Sequence, residues 1–79
     1  MHYFFDSRVD ERFIPDADGL EFDDFEAVKL EAAKALTEVG KDVLPNSVRH
    51  KLSVEVSDEH GRTVLITAVV LEALVPAEV

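Results

Sequence analysis

Five carboxylates, Asp16, Asp18, Glu21, Asp23 and Asp24, crowd residues 16–24. Acids at alternate positions ahead of a glycine begin a calcium loop, which also needs a bidentate Glu after that glycine. Asp16-x-Asp18-Gly19 supplies such a fragment, but the first ligand position falls on Ile14 and the last on Phe25, and neither side chain carries oxygen. The calcium reading fails, and the same acids suit a turn followed by a helix cap. Paired carboxylates can also do acid–base work, for which one of them must be pushed up in pKa by burial. In an open acidic turn they stay solvated.

The three histidines, His2, His50 and His60, stand in no His-x-His or His-x-x-x-His pairing, so metal-ligand spacing is missing. Each falls at a strand end or a turn and reads as a surface residue. With no cysteine there is no thiolate nucleophile, disulfide or Cys-based zinc site. Ser53 and Ser57 alternate outward on a strand, Ser7 and Ser47 lie near element ends, and no Gly-x-Ser-x-Gly, phosphate loop or dinucleotide fingerprint occurs. The expectation is a chain that is not an enzyme and takes no metal or cofactor.

The elements that would position these groups follow from periodicity. Residues 2–8, rich in aromatic strand formers around Tyr3, Phe4 and Phe5, predict a strand. Residues 12–14 predict a second, stopped by Pro15. Gly19 closes a turn that needs positive φ. Asp23 as N-cap, with Glu26 three residues on, opens a helix over about 24–43. Phe25, Val28, Ala32, Ala35, Leu36, Val39 and Val43 form its apolar stripe, Leu30 falls on the opposite side, and Pro45 stops it.

Alternating Leu52, Val54 and Val56 predict a half-buried strand over 49–57, turned by Asp58-Glu59-His60-Gly61 into a last strand over 62–72. If Asp58 and Arg62 close that loop, Val56 faces Val64, Val54 faces Ile66 and Leu52 faces Ala68. Val64, Ile66, Ala68 and Val70 then face the core, while Leu65, Thr67, Val69 and Leu71 point the other way. One helix about 10 Å wide covers only one face of a sheet whose four strands span roughly 19 Å. Leu65, Val69 and Leu71 therefore need another cover: the Tyr3–Phe5 flank, the tail through Leu74 and Val75, or a second copy of the chain. The second copy is the preferred expectation, and the tail 76–79 is expected to fray.

Composition agrees with one α+β domain over residues 1–79, a ββαββ chain with one helix on one face of a small antiparallel sheet. The 17 acids and 8 bases give a net −9, of which residues 6–26, with nine acids and two bases, hold −7. Such a surface repels phosphate backbones and anionic lipid, so nucleic-acid and membrane partners are not expected, whereas a basic protein partner is. The basic patch Arg49-His50-Lys51 is too small to reverse this. No signal peptide or apolar span of about 20 residues is present, and a cytoplasmic setting is expected.

The order Tyr3-Phe4-Phe5-Asp6, Phe13-Ile14-Pro15-Asp16-x-x-Gly19, an Ala-rich helix, Leu52-Ser53-Val54-Glu55-Val56 and Asp58-Glu59-His60-Gly61-Arg62 resembles a family of small uncharacterised bacterial proteins. That family, a domain of unknown function plentiful in alphaproteobacteria, implies the fold over about residues 3–70 and no activity. Residues 3–36 are also distantly similar to the HicB-type antitoxin domain, which implies an acidic binder of a small basic partner protein; the usual C-terminal DNA-binding extension of that domain has no counterpart here. From the residues alone, a protein-interaction domain that self-associates as a homodimer is expected. Its contacts would come from Leu65, Val69 and Leu71 and from the acids Asp16, Asp18, Asp23 and Asp24.

Overall fold

The computed structural model describes residues 1–43 and 49–73, with the helix side chains described as far as Lys41. The elements are β1 (His2–Val9), β2 (Arg12–Ile14), β3 (Leu20–Glu21), α1 (Phe25–Val43), β4 (Arg49–Asp58) and β5 (Thr63–Glu72). All strand pairs are antiparallel, in the order β2-β1-β4-β5, and β3 also pairs with β1. Because β4 occupies one side of β1, β2 and β3 share the other: β2 takes Ser7–Val9 and β3 takes His2–Tyr3. This is the anticipated α+β, ββαββ arrangement with one two-residue strand added. The expected stop at Pro45 and the tail from Leu74 lie outside the described residues.

The added strand is held in place by a side chain. Between β2 and β3 the Phe5 N–H of β1 meets no strand; it donates instead to the Asp16 carboxylate at 3.0 Å. The same carboxylate accepts from the N–H of Asp18 at 3.2 Å and of Gly19 at 3.1 Å, and the Asp16 N–H donates to Asp6 Oδ1 at 2.8 Å. Asp16 thus replaces a missing piece of strand, and Gly19, at φ 68°, turns the chain back into β3.

The helix begins one residue later than the sequence predicts. Asp24, not Asp23, is the cap: its Oδ1 accepts the Glu26 N–H at 2.9 Å, and its carbonyl accepts from Ala27 and Val28. Val28 and Ala32 are fully buried against Phe5, Val54 and Val56, and Tyr3, Phe22, Ala35, Leu36 and Leu65 pack around them. Leu52 completes the buried set beneath the C-terminal half of α1, where Gly40 lies close to it and to Leu71. The Phe22 ring stands 6.0 Å from Phe5 and 6.4 Å from Tyr3, anchoring the chain ahead of the cap. Leu30, 74% exposed, lies on the outer side of α1 as expected.

The last strand is turned over relative to the expectation. Asp58 and Arg62 do close the hairpin, with the Asp58 N–H donating to the Arg62 carbonyl at 2.9 Å and Gly61 at φ 79°. Ser57 pairs with Thr63, but Val56 pairs with Leu65, so one step on β4 spans two on β5 and Val64 is extra. This bulge shifts the register by one residue, and a one-residue shift exchanges the two faces of a strand. Val54 consequently pairs with Thr67 and Leu52 with Val69. Leu65, Thr67, Val69 and Leu71 lie on the helix side, and Ile66, Ala68 and Val70 lie on the open side.

Candidate functional site

The side of the sheet without a helix carries Phe4, Asp6 and Arg8 from β1, Phe13 from β2, Lys51, Ser53 and Glu55 from β4, and the exposed residues of β5. Its middle is polar. Arg8 Nε lies 3.5 Å from Glu55 Oε2, and the Arg8 guanidinium stands 4.7 Å from the centre of the Phe13 ring. Beside them Ser53, Ile66 and Ala68 border a shallow depression of about 240 Å³. Towards β5 the face becomes apolar: Ile66 is 62% exposed and Val70 48%.

The other side of β5 borders an apolar groove of about 350 Å³ between the strand and α1, formed by Leu36 and Gly40 with Leu52, Val69 and Leu71. Leu71 is half-buried there and Leu65 is half-buried against the core, while Val69 keeps 38% of its surface exposed. The three residues singled out from the sequence as a free apolar flank therefore line the helix side, and the free flank is made by their neighbours Ile66 and Val70. One bulged residue, Val64, accounts for the exchange.

The acids are divided between structure and solvent. Asp16 and Asp24 are engaged by backbone N–H groups, and Asp18 and Asp23 are exposed. Among the described residues no group of three or more His, Asp or Glu side chains could hold a metal ion.

Two histidines that read as bare surface residues are paired. His50 Nδ1 meets the Asp10 carboxylate, which also accepts the Lys51 N–H at 3.0 Å, while the Asp10 N–H donates to the Lys51 carbonyl at 2.8 Å. Asp10, at φ 56° in the β1–β2 turn, so ties that turn to the start of β4. His2 directs Nε2 to the Asp18 carbonyl at 2.8 Å and Nδ1 to Glu21 at 3.3 Å. Both partners are acceptors, so the doubly protonated ring satisfies both. No spacing in the sequence marks either pair, since each joins residues brought together only by the sheet.

The titration behaviour follows from these bonds. The Lys51 N–H, then His50, hold Asp10 below the usual carboxylate range. Burial pushes Asp16 up, but the N–H groups of Phe5, Gly19 and Asp18 outweigh it and leave Asp16 lowered. The terminal ammonium and His2 lower Glu21, and the Arg62 N–H leads the groups that lower Asp58. The Asp18 carbonyl, then Glu21, raise His2 above 6.5.

Carboxylates lowered on folding stabilise the fold above their unfolded values, 3.8 for Asp and 4.5 for Glu, and that stability is lost as pH falls through the folded values. His2, being raised, contributes fully below 6.5 and loses its contribution as pH rises through its folded value. The melting temperature should therefore fall steeply below about pH 4 and slope gently downward above neutrality. His2→Gln should remove the part of the second slope that begins near neutrality, leaving the first slope and the loss at higher pH from the Met1 ammonium, which its bond to Glu21 raises above 8.0. A curve flat to pH 2.5 would contradict the carboxylate assignments.

A family model described as a domain of unknown function, DUF6894, matches residues 2–70. The chain belongs to that family. No curated protein and no solved structure matches it, and the distant likeness to the HicB-type antitoxin domain gains no support from these comparisons. The DUF6894 match spans β1 to most of β5, so the bulge at Val64 and the open flank at Ile66 lie within the family's own domain.

Proposed function

We propose that this DUF6894 chain is a non-catalytic protein-interaction domain whose contact element is β5, and that it works in the cytoplasm. The carrying observation is an edge strand of ten residues that, among the described residues, pairs with β4 alone and has no charged residue or proline from Thr63 to Leu71. Folded proteins usually blunt such edges with charge, proline or short length, because free backbone N–H and C=O groups recruit further strands. The absence of cysteine and the net charge of −9 suit a reducing, crowded compartment. Among the described residues no helix is long and apolar enough to cross a membrane.

The test is affinity capture from native lysate with the immobilised wild-type domain and with an Ile66→Lys, Val70→Lys variant, both checked for folding by circular dichroism. The wild type should retain protein, this chain included, that the folded variant loses. Identical retention by both would sink the assignment of β5 as the contact element.

A further inference from the structure

Resting on the reading of β5 as the contact element, we infer that its partner is a second copy of this chain, added antiparallel to β5 about a two-fold axis through Ala68. The two sheets then run on as one, and the two helices lie side by side on the same face.

The two edges of the sheet differ in how they are protected. On the β1 side the edge is broken into a three-residue and a two-residue strand, and the gap between them is plugged by the Asp16 carboxylate. Exposed apolar residues there, Phe13, Ile14 and Leu20, are interleaved with Asp16, Asp18 and Glu21, and Arg8 stands over the Phe13 ring. A copy docked on that edge would set like charges against each other. On the β5 side none of these devices is present across Thr63–Leu71.

The strand is also complementary to itself. Residues directly opposite in an antiparallel pair share a face, so a two-fold pairing joins only residues of equal parity. With the axis at Ala68, Ile66 lies opposite the partner's Val70 on the open face. On the helix face Leu65 lies opposite the partner's Leu71, and Thr67 opposite the partner's Val69. From Leu65 to Leu71 each position meets an apolar or hydroxyl side chain, Val64 meets the partner's Glu72 at each end, and the smallest residue of the strand, Ala68, stands at the centre where the two backbones meet.

Charge permits the approach. Six of the nine acids of residues 6–26 lie from β1 to β3, and Asp23, Asp24 and Glu26 lie at the start of α1. The β1 strand lies two strand spacings from β5, about 10 Å, beyond the screening length of about 8 Å at physiological salt.

The helix supplies a second layer to the same contact. Thr37 and Lys41 face the groove above Val69 and Leu71. At about 100° per residue, Ala33 falls within about 40° of Thr37, on the same flank. A two-fold axis perpendicular to the sheet turns this flank towards its own copy. A strand about 33 Å long under a sheet-and-helix layer roughly 20 Å thick offers about 650 Å² per copy, or about 1,300 Å² in the pair. A specific interface needs about 1,000 Å² or more.

The cysteine-free chain allows a direct test. Light scattering at 50 µM should return twice the 8.8 kDa chain mass, and Ile66→Asp should raise the dissociation constant about 100-fold while leaving the circular dichroism unchanged. In Ala68→Cys the two introduced thiols would lie about 4.5–5.5 Å apart at Cα, within disulfide reach. In air they should form a covalent dimer, each pair giving two electrons and two protons to dissolved oxygen, which leaves as hydrogen peroxide. Ile66→Cys should not, because the two positions would stand about 14 Å apart.

A native mass of 8.8 kDa overturns the second copy as partner, while the lysate capture separately decides whether β5 is a contact element. A dimer that cross-links faster through Ile66→Cys than through Ala68→Cys overturns the axis.

Discussion

Val54→Asp will leave the chain unfolded at 25 °C. Val54 is fully buried between Ser7 of β1 and Thr67 of β5, beneath Val28 and Ala32 of α1. Removing the valine forfeits about 1.5–2 kcal/mol of apolar burial. An unpaired carboxylate in its place costs about 3–5 kcal/mol more, and protonating the acid only exchanges part of that cost for another. A chain of 79 residues is held by about 4–12 kcal/mol, so a loss of about 4.5–7 kcal/mol cancels a stability in the lower part of that range. Circular dichroism should lose its helical signal and amide resonances should collapse to the unfolded range. Ile66→Asp, one strand away on the open side, is the internal control: same chemistry, folded protein. If both variants fold, or both unfold, the assignment of the two sheet faces is wrong.

That contrast also marks where the sequence stopped being readable. The element order was legible because each element carries its own period: 3.6 in Phe25–Val39, 2 in Leu52–Val56. The closing loop was legible too, since Asp58 and Gly61 have the chemistry that a tight turn requires. The bulge was not. Thr63, Val64 and Leu65 are all ready strand formers, and nothing in their side chains says that one of them pairs with no residue on β4. Because β5 is apolar on both sides, neither choice of register exposes a charge or buries one, and the pattern gives no penalty for being off by one. One helix still leaves one face bare, and the residues on that face are Ile66 and Val70 rather than Leu65, Val69 and Leu71.

The acidic segment is only partly legible, for a different reason. Its charge was visible, and its use was not, because a carboxylate that accepts backbone N–H groups from residues 5, 18 and 19 is recognisable only once β1 and the turn are side by side. Asp16 plugs the sheet edge, while Asp18 and Asp23 remain exposed. Asp10 and Asp58 have the same character, each joining segments at the end of a strand pair. A chain this small cannot close every sheet edge with more strand, and it uses short acidic side chains instead. The N-cap shifted by one, from Asp23 to Asp24, for the simplest reason: adjacent aspartates are chemically equal as caps, and the packing of Phe22 against Phe5 and Tyr3 decides which one meets the helix.

Gly19→Ala should destabilise the chain by about 2–4 kcal/mol, far more than the same change at Gly61. Both glycines have positive φ, 68° and 79°, a conformation that costs an L residue about 1–2 kcal/mol. There the likeness ends. A Cβ on Gly61 meets nothing within 4 Å, whereas one on Gly19 would come within 2.7 Å of the Tyr3 carbonyl oxygen and of His2 Nε2. The histidine could swing away, at the expense of its bonds to Asp18 and Glu21. The carbonyl belongs to the central part of the sheet, since Tyr3 pairs with Leu20 on one side and Asp58 on the other. Relief therefore requires β3 to leave β1, which also frees the Phe22 N–H from the Met1 carbonyl, 3.1 Å away. Urea titration should show the midpoint falling for both variants, two- to fourfold further for Gly19→Ala, and hydrogen exchange at Phe22 should accelerate only there. Equal losses at the two positions would mean that β3 is not seated against β1 in solution, and the plug at Asp16 would then have nothing to hold.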